Sequence, residues 1–388
     1  MDKTVTPPSR LPDLDFLRAV AVFLVLGRHV LLIPDNLSDG VSWFLRTWNR
    51  CGWIGVDLFF TLSGFLVSGL LFREFFETQK VSSIRFLIRR GLKIYPAFYT
   101  FLLISVPFSL ALDLYARSEL RAFAYAFPYP TVQRIMSESL FVQNYYGYLW
   151  GHTWSLAIEE HFYLGLTVLV VWLCRSRQDP CNTFLYVPLI VVCVGLVLLV
   201  TRVHLGYGLN WSWWQILPKT HLRIDSLLYG VLLSYYYHAR QQETIAFFRR
   251  YTWWLGGASI IMIAPAFVVA LEDGPFMYTF GFTLLYLAFG NVIMLMRVWE
   301  SPVRDNFMYR MRAVIALGRH SYSIYLWHLP VYFWVIALSP GPMDGRYFFG
   351  EVISYLGISV AIGTGMSVLV EQPVLRLRDK LLPSRSSL

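Results

Sequence analysis

Arg18 and His29 stand eleven positions apart in an otherwise apolar stretch of the 388-residue chain. At 100° per residue the separation is about 1100°, or three turns plus roughly 20°, so on a helix both side chains take one face. The rise between them is about 16 Å. A permanent cation at one level and an imidazole about half a bilayer away suit a ligand with a phosphate tail and a reactive head. Asp57 opens a second apolar stretch, in Gly55-Val56-Asp57-Leu58-Phe59-Phe60. A carboxylate at the depth of His29 would fix the tautomer of the ring and raise its basicity. A third cluster comprises His152, Trp154, Glu159 and Glu160. Adjacent glutamates point about 100° apart and so serve different neighbours, while His152 and Glu159, near two turns apart, share a face. Arg223 and Asp225 are two apart and turned away from each other, so each is expected to pair with another helix. His328 ends the run Ser321-Tyr322-Ser323-Ile324-Tyr325-Leu326-Trp327-His328. Ionisable groups among apolar runs are costly to insert in a membrane, which makes each a functional candidate.

The surroundings of these residues are lipid-like. Hydrophobic residues make up 56% of the chain and charged ones 15%, against roughly 25% charged in soluble domains. That balance excludes a soluble enzyme, a disordered chain and a disulfide-stapled secreted module. The expected fold is an all-α polytopic membrane protein, because backbone groups in lipid must bond within their own segment. About ten stretches of roughly 20 apolar residues are candidate spans: 16–33, 54–72, 94–112, 156–173, 184–203, 219–237, 252–271, 277–296, 319–338 and 350–370. With the N-terminus cytoplasmic, most of the 33 basic residues fall in inner segments, which places both termini inside. The net charge of +9 then reads as topology and attraction to anionic lipid, not as nucleic-acid binding.

One transmembrane domain over 1–388 is expected, with no appended soluble domain. Its longest outer segment is 113–155, and Trp211, Trp213 and Trp214 mark an interfacial belt. Arg85, Arg89, Arg90 and Lys93 form a dense basic run before Tyr95 and Pro96. Like charges at i,i+4 repel unless an anion lies between them, either lipid phosphate or a nucleotide-type ligand. Cys51, Cys174, Cys181 and Cys193 show no metal-ligand spacing and read as reduced. No phosphate loop, nucleophile elbow or zinc signature occurs.

The order of these motifs resembles the acyltransferase-3 family of membrane acyltransferases. The resemblance rests on Leu14-Asp15-Phe16-Leu17-Arg18 with His29, the Gly55–Phe60 run with Leu62-Ser63-Gly64-Phe65, and Arg89-Arg90 with Pro96. It continues through Trp154-Ser155-Leu156 with Glu159-Glu160 and Phe162-Tyr163, then Arg223-Ile224-Asp225, the Ser321–His328 run and Glu371-Gln372-Pro373. Lys93 replaces the second arginine of the family's Arg-x-x-Arg pattern, keeping charge without the bidentate fork. His161 stands where a glutamine is common.

The resemblance implies transfer of an acyl group, usually acetyl, from cytoplasmic acyl-CoA to a hydroxyl, mostly of a sugar at the outer face of the plasma membrane. It implies that Arg18, Arg89, Arg90 and Lys93 hold the CoA phosphates. His29 would serve as general base or transient acyl carrier, oriented by Asp57 or Glu160. His152, Trp154, Glu159, Arg223, Asp225 and His328 are expected on the acceptor, and no metal is required. The alternative is a transporter or flippase of a glycan or lipid-linked substrate, whose expected repeat symmetry is not found.

Overall fold

The structure is a computed structural model describing residues 11–30, 33–35, 37–119, 129–176, 183–339 and 345–383. Among the described residues all regular structure is helical. The first half comprises α1 (Pro12–Arg28), α2 (Asp39–Cys51), α3 (Ile54–Thr78), α4 (Ser83–Glu119), α5 (Val132–Ser139), α6 (Gln143–Tyr146), α7 (Trp154–Ser176) and α8 (Val187–Val203). There follow α9 (Trp213–Ile216), α10 (Ile224–Ala239), α11 (Gln241–Arg250), α12 (Thr252–Ile263), α13 (Pro265–Val268) and α14 (Phe282–Val298). The chain continues with α15 (Pro302–Arg310), α16 (Arg312–Arg319), α17 (Ser321–Leu338), α18 (Gly345–Met366) and α19 (Gln372–Leu381).

Among the described residues six helical segments are long and apolar enough to cross a bilayer: Ile54–Thr78, Ser83–Ala111, Gly151–Arg175, Val187–Gly208, Met277–Val298 and Tyr347–Leu381. Gln241–Arg250 and Thr252–Val268, bent by 74° at their junction, make a seventh if taken as one broken span. The chain is a multi-pass membrane protein. The other three of the ten expected stretches, around α1, α10 and α17, are shorter or more polar than these segments. The helix α1 has 17 residues and α10 has 16, while α17 carries Ser321, Tyr322, Ser323, Tyr325 and His328 in its first eight positions. All three are heavily buried, with α10 against α3, α14 and α8, and α17 against α18, α4 and α1. Their polar side chains meet protein in place of lipid, which is where such groups are tolerated.

Two boundaries differ from expectation. The third span was expected to begin at 94, but α4 begins at Ser83, because arginine and lysine are strong helix formers. The basic run therefore belongs to a membrane helix. The first span ends at Arg28, with His29 as its C-cap, and does not continue to 33.

Close approach at small residues holds the bundle together. A Cβ on Gly64 of α3 would stand 2.0 Å from the Leu227 carbonyl oxygen, and one on Gly230 of α10 would stand 2.4 Å from the Thr61 carbonyl oxygen. The two glycines thus let α3 and α10 touch backbone to backbone. Gly318 of α16 does the same against Asp15 of α1, at 1.8 Å.

Part of the expected outer segment 113–155 lies outside the described residues. The rest is organised by Glu138, whose Oε1 accepts from the Leu149 and Trp150 amides at 3.0 and 3.1 Å and from Thr153 Oγ1 at 2.8 Å. Burial pushes its carboxyl up to about 7, against the pull of these donors. Cys51, Cys174 and Cys193 are free thiols, and Cys181 lies outside the described residues.

Candidate active site

A helix leaves its last four carbonyls without intrahelical donors. At the C-terminus of α1, side chains supply several of them. Tyr355 Oη donates to Leu26 O at 3.1 Å, and Asn49 Nδ2 to Arg28 O at 2.7 Å. The Val25 carbonyl is met by the His29 ring itself, with Nδ1 at 3.0 Å. A carbonyl only accepts, so Nδ1 carries the hydrogen and Nε2 keeps its lone pair. The same backbone feature that stops the helix thereby sets the tautomer of the ring.

Two more histidines gather at this point. His328 Nε2 lies 3.3 Å from His29 Nδ1, with ring centroids 4.9 Å apart. His328 Nδ1 is 2.6 Å from the Tyr325 carbonyl, so that nitrogen donates and Nε2 is free to accept. Pro330, inside α17, has no N–H for the Leu326 carbonyl. His152 Nε2 fills that vacancy at 3.1 Å, and its ring centroid stands 4.8 Å from that of His328. Buried His152 Nδ1 has no partner. Among the described residues no group of three or more His, Cys, Asp or Glu side chains is arranged to hold a metal ion.

His29 and His152 line a cavity shared with Trp53, Trp154, Trp213, Trp214 and Arg223. A second cavity is lined by Arg18, Arg90, Lys93 and Arg319 together with Glu159, Glu160 and Glu371. Val56 and Tyr325 line both, so the two cavities lie on either side of those side chains. Tyr325 is fixed there by its hydroxyl, which donates to the His152 carbonyl at 2.8 Å and lies 2.6 Å from Ser155 Oγ.

In the basic cavity the carboxylates are met by hydroxyls. Tyr163 Oη donates to Glu159 at 2.8 Å, Tyr95 Oη to Glu160 at 2.9 Å, and Ser323 and Ser367 to Glu371 at 3.0 Å each. Arg18 bonds to Asp15 at 2.6 Å, and Arg319 lies 3.6 Å from the same carboxylate. Arg90 and Lys93 have no carboxylate within 4 Å among the described residues, and Arg90 lies over the Tyr163 ring at 5.8 Å. Two unpaired cations facing a pocket are donors for an anionic group.

The remaining expected residues are placed as follows. Arg18 lies in α1 and His29 caps its C-terminus, but they serve different cavities. Asp57 does not reach His29, because its carboxylate is bonded to Arg223 at 2.7 Å. Glu160, the other carboxylate expected to orient the ring, is held by Tyr95 in the basic cavity. Glu159, expected on the acceptor, is also in the basic cavity. Asp225 pairs with Arg202 at 2.7 Å, and Arg202 also donates to the Leu222 carbonyl at 2.8 Å. Arg89 turns to α19, bonding Asp379 at 3.1 Å and the Leu382 carbonyl. His161 lies 2.8 Å from Thr220 Oγ1. Arg202, Arg319, Tyr325 and Glu371 were not among the expected site residues. Arg202, a lone arginine in the apolar stretch 184–203, carried the clearest signal.

Sequence similarity to known proteins extends along nearly the whole chain. The acyltransferase domain profile matches residues 11–370. The chain is 28% identical over 393 residues to the O-acetyltransferase OatA of Staphylococcus aureus strain MRSA252, covering 98% of this chain and 60% of the relative. A putative O-acetyltransferase of S. aureus strain COL is 25% identical over 329 residues, covering 83% of this chain and 50% of the relative. The chain thus spans about half to three-fifths of the length of these relatives. No solved structure matches. With a match over nearly its whole length and the family's motifs gathered around two adjoining cavities, the chain belongs to acyltransferase family 3.

Proposed function

We propose that the protein is a membrane O-acyltransferase that moves an acyl group, most simply acetyl, from acyl-CoA to a hydroxyl of a glycan. The observation that carries this reading is that Val56 and Tyr325 line both a cavity with unpaired cations and one that contains His29. In this reading the chain crosses the plasma membrane ten times, with both termini and the basic cavity on the cytoplasmic side and the histidine cavity toward the outside. Arg90 and Lys93, with Arg18 and Arg319 beside them, hold the phosphates of the donor. The donor supplies the acyl group as a thioester. Val56 and Tyr325 form the passage through which that thioester must reach.

In the histidine cavity, Trp53, Trp154, Trp213 and Trp214 offer flat apolar faces of the kind that stack on sugar rings. His29 Nε2 takes the proton of the acceptor hydroxyl as its oxygen attacks the thioester carbonyl carbon. The carbon–sulfur bond breaks, and the imidazolium returns its proton to the departing thiolate. The names of the relatives, which are O-acetyltransferases, support acetyl and oxygen as the group and the atom.

Mass spectrometry of surface glycans tests the reading. Cells carrying the wild-type gene are expected to show glycans heavier by one or more acetyl groups than cells lacking it. His29→Ala is expected to give the mass pattern of the deletion while the protein still accumulates in membranes. Unchanged glycan acetylation in His29→Ala cells contradicts the reading.

A further inference from the structure

We propose that His328 is the positioning residue of His29, taking the place that a carboxylate fills in many acid–base pairs. Its Nε2 accepts the Nδ1–H of His29 and stabilises the imidazolium that forms when His29 removes the acceptor proton. The inference rests on the reading of His29 as the base.

Neither carboxylate expected to orient His29 bonds its ring. Asp57 is held by Arg223, and Glu160 by Tyr95. The side chain that does reach His29 Nδ1 is His328, at 3.3 Å. The direction of that contact follows from the backbone. His29 Nδ1 faces the Val25 carbonyl and must carry a hydrogen. His328 Nδ1 faces the Tyr325 carbonyl at 2.6 Å and must also carry one, which leaves Nε2 as an acceptor. The Nδ1–H of His29 is thus shared between the Val25 oxygen and the His328 nitrogen, and Nε2 of His29 remains the free base. His152 packs against the His328 ring and is itself tied to the carbonyl that Pro330 leaves free, so the acceptor ring is fixed from behind. A hydrogen bond to a charged group is stronger than one to a neutral group, so the contact tightens as charge develops on His29. No proton leaves the pair: His29 Nε2 gains one from the hydroxyl and returns it to the thiolate.

The geometry separates two substitutions that would otherwise look alike. In His328→Asn the side-chain amide can still donate to the Tyr325 carbonyl but is too short to reach His29. In His328→Gln the side-chain oxygen reaches the position of Nε2 and can accept from His29. The assay uses membrane vesicles from the producing cell, which contain the native acceptor, with radiolabelled acetyl-CoA as donor and the amount of each variant matched. His328→Asn is expected to lower the rate at saturating acetyl-CoA about ten- to a hundredfold, with the donor KM unchanged within about twofold. His328→Gln is expected to stay within about threefold of wild type. The inference is overturned if His328→Asn matches wild type, or if His328→Gln is as impaired as His328→Asn. Activity in the His29→Ala control would overturn the reading of the base itself. An inactive His29→Ala together with an active His328→Asn removes only the role of His328.

Discussion

The carboxylate of Asp57 is bonded to Arg223 at 2.7 Å with neither side chain exposed, and the Arg223 guanidinium lies 3.5 Å from the centre of the Phe282 ring. This ties α3 to the start of α10 and explains why a carboxylate near the depth of His29 does not serve it. A buried ion pair is costly to break on one side only. Asp57→Ala is therefore expected to destabilise the protein by about 3–5 kcal/mol, and Asp57→Leu with Arg223→Met together by much less. Thermal unfolding in detergent measures both. A single variant as stable as wild type would show that the pair does not hold these helices.

The junction of the two cavities gives a second expectation. Val56 lines both, so a larger side chain there obstructs the passage without touching Arg90 or Lys93. Val56→Phe and Val56→Trp are expected to lower acyl transfer by at least about tenfold while acetyl-CoA binding stays within about twofold of wild type. Binding by calorimetry and transfer from radiolabelled donor separate the two effects. Weakened binding with normal turnover of bound donor would contradict the placement of the donor.

Much of this site can be read from the sequence, and the limits are physical. Periodicity expects Arg18 and His29 on one face of one helix; the structure has Arg18 within α1 and His29 at its C-cap, where the backbone leaves the helix. The offset of Arg223 and Asp225 likewise requires separate partners, which the structure supplies as Asp57 and Arg202. The contact between His29 and His328 spans 299 positions and depends on how α1 and α17 pack, so no local pattern announces it. Pro330 marks a free carbonyl at Leu326 from sequence alone, but not that His152 would fill it. The expected span at 94 marks where the apolar residues begin, whereas α4 starts at Ser83 because the basic run continues the same helix, forming the rim of a cavity and the anchor of α19. The expected spans α1, α10 and α17 are buried against other helices of the bundle, which is where their polar side chains find partners.

Glu138 makes stability depend on pH in the segment before α7. Its carboxyl sits at about 7 in the folded protein, above its ordinary value of 4.5, so the folded state binds the proton more tightly than the unfolded state. This contribution is complete below about pH 4.5 and is lost as pH rises toward 7. Glu138→Gln keeps an oxygen for the Leu149, Trp150 and Thr153 donors and removes the titration. The difference in melting temperature, variant minus wild type, is expected to grow from pH 5 to pH 7 and then level off. A difference that is flat across this range would contradict a raised carboxyl.

The most direct test of acyl transfer between the two cavities uses sealed vesicles of known orientation. Radiolabelled acetyl-CoA is supplied only at the face bearing the basic cavity, and ester label is measured on glycan accessible only from the opposite face. The expected result is label on that glycan with wild-type protein and none with His29→Ala. Label appearing equally with His29→Ala, or only on molecules at the donor's own face, would contradict it.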